Sequence, residues 1–235
     1  MTSIDTPTAV LGEQPARWGL QAVLVDMDGT LVDTEHFWWQ AEASLFAELG
    51  HPLDESHRAH VVGGPMTRVI DYLLGVTGLE LSPAELTVRI NQRFVDLLDG
   101  GAPLMPGAGR LLELLGEHGI PAALVSASHR RIIDLVLKNL GAHPFAFSVA
   151  GDEVARTKPH PDPYLAAVAR FGAEPGRCVV IEDAPLGVQA GLAAGCPVIA
   201  VPSVAPVEPG PGRTVLTSLT ELDLDLLHSV VAARV

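Results

Sequence analysis

Two aspartates, Asp26 and Asp28, stand two positions apart at the end of the apolar run "LQAVLV" (20–25) in the stretch "AVLVDMDGTLVDTE". Residues at that spacing leave a β-strand on the same side, so both carboxylates would aim at one spot. Carboxylates that close repel, and a nearby cation relieves the repulsion. On this segment alone, a pair of loop acids capping a helix stays open. Three further stretches carry matching chemistry. "PAALVSAS" ends an apolar run in Ser126 and small residues that let backbone amides approach an anion. "RTKPHPDP" sets Lys158, one of only two lysines, in a loop before a helical segment. "RCVVIEDAPLGVQAG" ends an apolar run in adjacent acids, Glu182 and Asp183, a costly arrangement without a metal or a catalytic use. Acids, a hydroxyl and a lysine at four strand ends can hold Mg²⁺ and a phosphate together.

The elements that must position these residues follow from periodicity. Short continuous apolar runs at 20–25, 121–126, 144–150, 177–183 and 196–201 read as strands buried on both faces. Helical periods lie between them at 107–119, 130–141, 163–172 and 186–195, several closed by glycine. This alternation predicts an α/β fold, a doubly wound parallel sheet with helices on both faces. Residues 35–104 break the rhythm: "FWWQAEASLFAELG" and "PAELTVRINQRFVDLL" are helical and no strand is evident. The expected organisation is a loose tail at 1–18, a core from 19–34 and 105–235, and an inserted helical cap at 35–104. Hinges are expected near Asp33–Thr34 and in the turn-rich 99–107.

Composition narrows the partners. With 15 basic against 28 acidic residues the formal charge is -13, and no basic stripe exists for nucleic acid or an anionic membrane. No apolar run approaches a membrane span, and the first seventeen residues lack the apolar stretch of a signal peptide. Cys178 and Cys196 form no spacing motif and suit a reducing compartment. The expectation is a cytoplasmic monomer that acts on a small phosphorylated metabolite.

The four motifs together, "DMDGT" at 26–30, Ser126, Lys158 and "EDAPLGVQAG" at 182–191, resemble those of the haloacid dehalogenase superfamily. The similarity is to its phosphatase branch, the β-phosphoglucomutase-like group with a helical cap after the first strand, and it spans about 20–220. It implies that Asp26 takes the phosphoryl group as an aspartyl phosphate, and that Asp28 is the general acid and base. It implies a Mg²⁺ held by the Asp26 carboxylate, the Asp28 carbonyl and Asp183, with Glu182 a ligand or a partner to ligands. Ser126, the Ala127 amide and Lys158 would hold the phosphoryl oxygens.

Within such a superfamily, Asp28 argues against carbon–halogen cleavage, which needs no acid there. The absence of lysine from 36–104 argues against Schiff-base chemistry in the cap. A phosphomutase is the closer alternative. Its cap histidine, twelve residues after the nucleophile, is matched here by Trp38, its cap lysine is missing, and Arg68 lies near its arginine position. A silent binding protein would have lost the motif acids, which are present. Phe37, Trp38 and Trp39 read as cap-helix packing, His36 as a surface or hinge residue, and Thr30 as bonded within its loop. His129 and Arg130 read either as neighbours of a phosphate or as a solvated helix start. Arg156 and Thr157 are expected to position the Lys158 loop.

Overall fold

The computed structural model describes residues 19–61 and 66–232, so the expected tail at 1–18 lies outside the described residues. Strand β1 (Ala22–Val25) is four fully buried apolar residues. Alternation sends Val23 and Val25 into one hydrophobic cluster, and Ala22 and Leu24 into another on the opposite face. This double burial is why the strand reads as a continuous apolar run. Strands β2 (Ala122–Val125), β3 (Phe145–Val149), β4 (Cys178–Glu182), β5 (Val198–Ala200) and β6 (Arg213–Val215) complete a six-stranded sheet. Its order is β3-β2-β1-β4-β5-β6 and every pairing is parallel. The chain lays strands outward from β1 to one edge, then returns to start β4 on the other side of β1. That reversal opens a crevice at the carboxyl ends of β1 and β4.

Among the described residues, four helices separate β1 from the rest of the sheet: α1 (Glu35–Glu48), α2 (Glu55–Val61), α3 (Met66–Thr77) and α4 (Pro83–Leu98). Leu86, Ile90, Phe94 and Leu98 recur every four residues along α4, so they form one stripe, and all are fully buried. Trp38 of α1 stacks on Phe94 with ring centroids 3.8 Å apart. These residues join the same cluster as Met27 and Leu31, so the helical insert shares a hydrophobic core with one sheet face. The two connections run side by side. Asp33 N donates to Pro103 O at 2.8 Å, Met105 N donates to Leu31 O at 3.0 Å, and Val32 pairs antiparallel with Leu104.

The remaining helices are α5 (Ala108–Glu117), α6 (Arg130–Leu140), α7 (Asp162–Phe171), α8 (Pro185–Ala193) and α9 (Leu224–Ala232). Strand β6 was not anticipated; its three residues are only partly buried and follow a Gly- and Pro-rich loop. Cys178 and Cys196 form no disulfide and are buried in the core, as expected. Among the described residues, no helix is long and apolar enough to cross a membrane.

Candidate active site

The predicted site residues all sit at the carboxyl edge of the sheet. Asp26 follows β1, Ser126 follows β2, Lys158 lies in the loop between β3 and α7, Glu182 closes β4, and Asp183 follows it. None of these side chains is more than 8% exposed. An ammonium has three donors, and Lys158 uses all of them. Its Nζ donates to Asp26 Oδ1 at 2.5 Å, to Glu182 Oε1 at 2.6 Å and to Val125 O at 2.9 Å. The Tyr164 hydroxyl donates to the same Glu182 oxygen at 2.6 Å, and its ring centroid lies 5.0 Å from Nζ. Glu182 Oε2 accepts from the Asp183 amide at 3.2 Å. Both Glu182 oxygens are therefore engaged in holding Lys158 and the turn into α8. The glycine of "APLG" has its reason here: a Cβ on Gly187 would fall 1.9 Å from Glu182 Oε1.

Asp183 is braced from the other side. Ser203 donates to its Oδ2. Gly29, the glycine of "DMDGT", has φ of +75°, and a Cβ there would lie 2.2 Å from that same oxygen. The turn thus needs glycine twice over, for its left-handed backbone and for the close approach. Carboxylate oxygens of Asp26, Glu182 and Asp183 lie within 4.8 Å of one another.

Burial, then the charge of Glu182, push the Asp26 carboxyl well above the usual carboxylate range. The same two causes raise Asp183 to about 7. Burial opposes the charge on Lys158, but Asp26 and Glu182 outweigh it and hold its pKa above the ordinary lysine value. Three buried acids against one ammonium leave the site short of positive charge. A hard divalent cation with oxygen ligands fits that deficit and that donor set.

Asp28 faces elsewhere. Its Oδ1 accepts from the Thr34 hydroxyl at 2.7 Å, with Trp38 Nε1 at a longer 3.4 Å. Its Oδ2 accepts from the Ser128 hydroxyl at 2.8 Å and the Ser126 hydroxyl at 3.1 Å. The Ser128 amide donates back to Ser126 Oγ at 3.0 Å. Two acids two residues apart therefore occupy different environments, one among a lysine and acids, the other among hydroxyls.

Thr34, Ser128, Tyr164 and Ser203 were missed as functional supports. Only Ser128 carried a local signal, its place two residues after Ser126 in "SAS". Arg130 turns away to Glu153, Ser148 and Asp134, whereas His129 borders the site. Arg156 pairs with Asp162. Thr30 corrects an expectation: its buried hydroxyl finds no partner among the described residues, and the same holds for Thr157.

Above these groups is a cavity of about 360 Å³. Asp26, Asp28, Ala127, Lys158, Glu182 and Asp183 line its floor, whereas Ser126 is fully buried beneath it and reaches the site through Asp28. Its roof includes Glu35, Trp38, Trp39 and Glu42 of α1, with Thr87 and Asn91 of α4. The tryptophans read as packing thus also face the cavity.

Comparison with known proteins identifies the family. The family model described as haloacid dehalogenase-like hydrolase matches residues 23–201. The chain belongs to that family, in its phosphatase branch. This haloacid dehalogenase-like hydrolase is 34% identical over 219 residues to (DL)-glycerol-3-phosphatase 1, mitochondrial, of Arabidopsis thaliana, covering 86% of this chain and 72% of that one. It is 33% identical over 211 residues to hexitol phosphatase B of Escherichia coli, covering 86% and 93%. Among solved structures, a mutant CbbY from Rhodobacter sphaeroides in complex with xylulose-(1,5)bisphosphate superposes with a TM-score of 0.77 at 28% identity. The match covers 86% of this chain and 96% of that one.

Proposed function

We propose that this hydrolase cleaves small phosphate monoesters, with a sugar or polyol phosphate as substrate, through an aspartyl phosphate on Asp26 and with the help of Mg²⁺. The observation that carries the reading is the division between Asp26 and Asp28. The Asp26 carboxylate attacks phosphorus in line with the ester oxygen. As that P–O bond breaks, Asp28 gives its proton to the leaving oxygen. Water then attacks the same phosphorus while Asp28 takes its proton back, and the bond to Asp26 breaks to free phosphate. The serines and threonine around Asp28 hold its carboxyl toward the cavity throughout.

Lys158, the Ser126 hydroxyl and the Ala127 amide offset charge on the phosphoryl oxygens. In the fitted cation site, Asp26, the Asp28 carbonyl and Asp183 would be the ligands. Glu182 serves better as the partner that orients Lys158, since both its oxygens are already engaged. The cation would supply the positive charge that lets a dianionic phosphate approach these acids.

Residues 35–104 act in this reading as a cap that opens about the paired connections at 33–34 and 99–107 to admit substrate and water. The roof favours transfer to water over a mutase reaction. Among the described residues, no lysine or arginine lines the cavity except Lys158, and two glutamates face it. A second phosphate would find no cationic grip there. The two buried cysteines, with no spacing motif between them, support a reducing, cytoplasmic setting.

The test is phosphate release from a panel of sugar, polyol and aryl phosphates with Mg²⁺ present. Incubation with β-glucose 1-phosphate and a bisphosphate primer should yield free phosphate. Efficient glucose 6-phosphate formation with little free phosphate would instead make the protein a mutase.

A further inference from the structure

Glu42 lies in mid-α1 and is 3% exposed, yet its carboxyl has no hydrogen-bond partner among the described residues. Each other buried carboxylate near the site, Asp26, Glu182 or Asp183, holds at least one donor. The fully buried unpaired side-chain atoms do not include the Glu42 oxygens, which therefore open onto the cavity. Helical geometry explains where it points. Positions 35, 38, 39 and 42 share one face of α1, and all four residues border the cavity. Glu42 therefore stands one turn along the helix from Trp38, whose indole approaches Asp28. Burial, with a smaller push from Glu35, raises its pKa to about 8. At neutral pH the group is mainly a neutral acid, able both to donate and to accept.

We propose that Glu42 is the specificity residue of the roof, hydrogen-bonding a hydroxyl on the substrate's carbon chain and so selecting polyol or sugar phosphates over aryl and simple alkyl ones. Thr87 and Asn91, one turn apart on α4, border the same space and offer further hydroxyl and amide groups. A hydroxylated chain completes the bonding that the free protein leaves unmade, and an ester lacking the hydroxyl leaves Glu42 unpaired. The inference rests on the phosphatase reading and names the end of the substrate that the reading leaves open.

The test compares kcat and KM of the wild type, Glu42→Leu and Glu42→Gln on sorbitol 6-phosphate, glycerol 3-phosphate and p-nitrophenyl phosphate. Glu42→Leu should lose about 10–100-fold in kcat/KM on the hydroxylated esters. It should change by less than about 3-fold on p-nitrophenyl phosphate and melt no lower than the wild type. Glu42→Gln, which keeps the shape and both bonding functions, should recover most of the loss. Equal losses on all three esters, or none on any, would overturn the proposal. So would a wild type that hydrolyses p-nitrophenyl phosphate but neither hydroxylated ester, leaving the phosphatase reading intact. A wild type inactive on every ester of the wider panel would remove that reading, and this inference with it.

Discussion

The floor and the roof of the cavity are built on opposite principles. On the floor, Lys158 spends its three donors on Asp26, Glu182 and a backbone carbonyl, while Tyr164 and Ser203 brace the acids from behind. In the roof, Glu42 is as deeply buried as the floor acids and makes no hydrogen bond among the described residues. On the proposed reading, the contrast follows from what each half must recognise. Every phosphate ester presents the same phosphoryl group, so its receptor can be rigid before binding, and preorganised dipoles need not reorient during reaction. The leaving group differs between substrates. Its receptor holds unmet bonding capacity that only a suitable partner fills, and discrimination comes from that difference.

Breaking the floor should produce the largest effects. Asp26→Asn keeps the shape of the side chain but removes the proposed nucleophile, and turnover should fall by roughly 10⁴-fold or more. Excess chelator should have a comparable effect, reversed by added Mg²⁺, because the acids are then left without a counter-charge. Phosphate release assays with circular dichroism as a fold control decide both. Undiminished turnover in chelator would sink the metal assignment.

Asp28→Asn comes next. The amide can neither give nor take a proton, so turnover should drop by roughly 10²–10⁴-fold. The loss should be greatest on alkyl phosphates and least on p-nitrophenyl phosphate, whose leaving group needs little protonation. Equal losses on both would make Asp28 a bracing residue for Ser126 and Ser128 rather than a proton carrier.

Tyr164→Phe tests the bracing itself and should cost less. It removes one donor from Glu182 Oε1 and leaves Lys158 in place. A buried acceptor losing one donor costs about 1–3 kcal/mol, seen as a lower Tm with kcat reduced by no more than about 10-fold. An unchanged Tm would show that the Tyr164 hydroxyl does not hold Glu182.

The two halves also differed in how plainly the sequence displayed them. Asp26, Asp28, Glu182 and Asp183 were legible because each ends a doubly buried strand, a local pattern that places the acid at a sheet edge. Lys158 stood out by scarcity in an acidic chain. Their supports were not legible, because Tyr164 and Ser203 reach the acids through the folding of distant segments. Ser128 meets Asp28 across 100 residues, and only its nearness to Ser126 hinted at it. Strand β6 lacked an apolar run because it lies at the sheet edge, where Thr214 pairs with Ile199 of β5 alone. The roof was the least legible part. An α1 face carrying Glu35 and Glu42 reads as a solvated surface, and the stacking of Trp38 on Phe94 resembles plain helix packing. Only the cavity above Asp28 turns that face inward.

The last measurement isolates Glu42 without any substrate. In the unfolded chain its carboxyl ionises near 4.5, whereas in the folded protein burial and Glu35 hold the pKa at about 8. Between those values the native state binds the extra proton, so this residue's contribution to stability falls as pH rises. The contribution is whole below about 4.5 and is lost by the time pH has passed 8. Glu42→Gln removes that titration and leaves those of Glu35 and the floor acids shared with the wild type. The two proteins should therefore melt alike near pH 5. Toward pH 8 the variant should become the more stable, with the gap widening by at most ~1.4 kcal/mol per pH unit. At ~2–4 °C of Tm per kcal/mol for a chain of this size, calorimetry across pH 5–8.5 resolves the effect. Parallel curves would mean that Glu42 is solvated and charged in the free protein, and the contrast between a bonded floor and an unbonded roof would lose its main support.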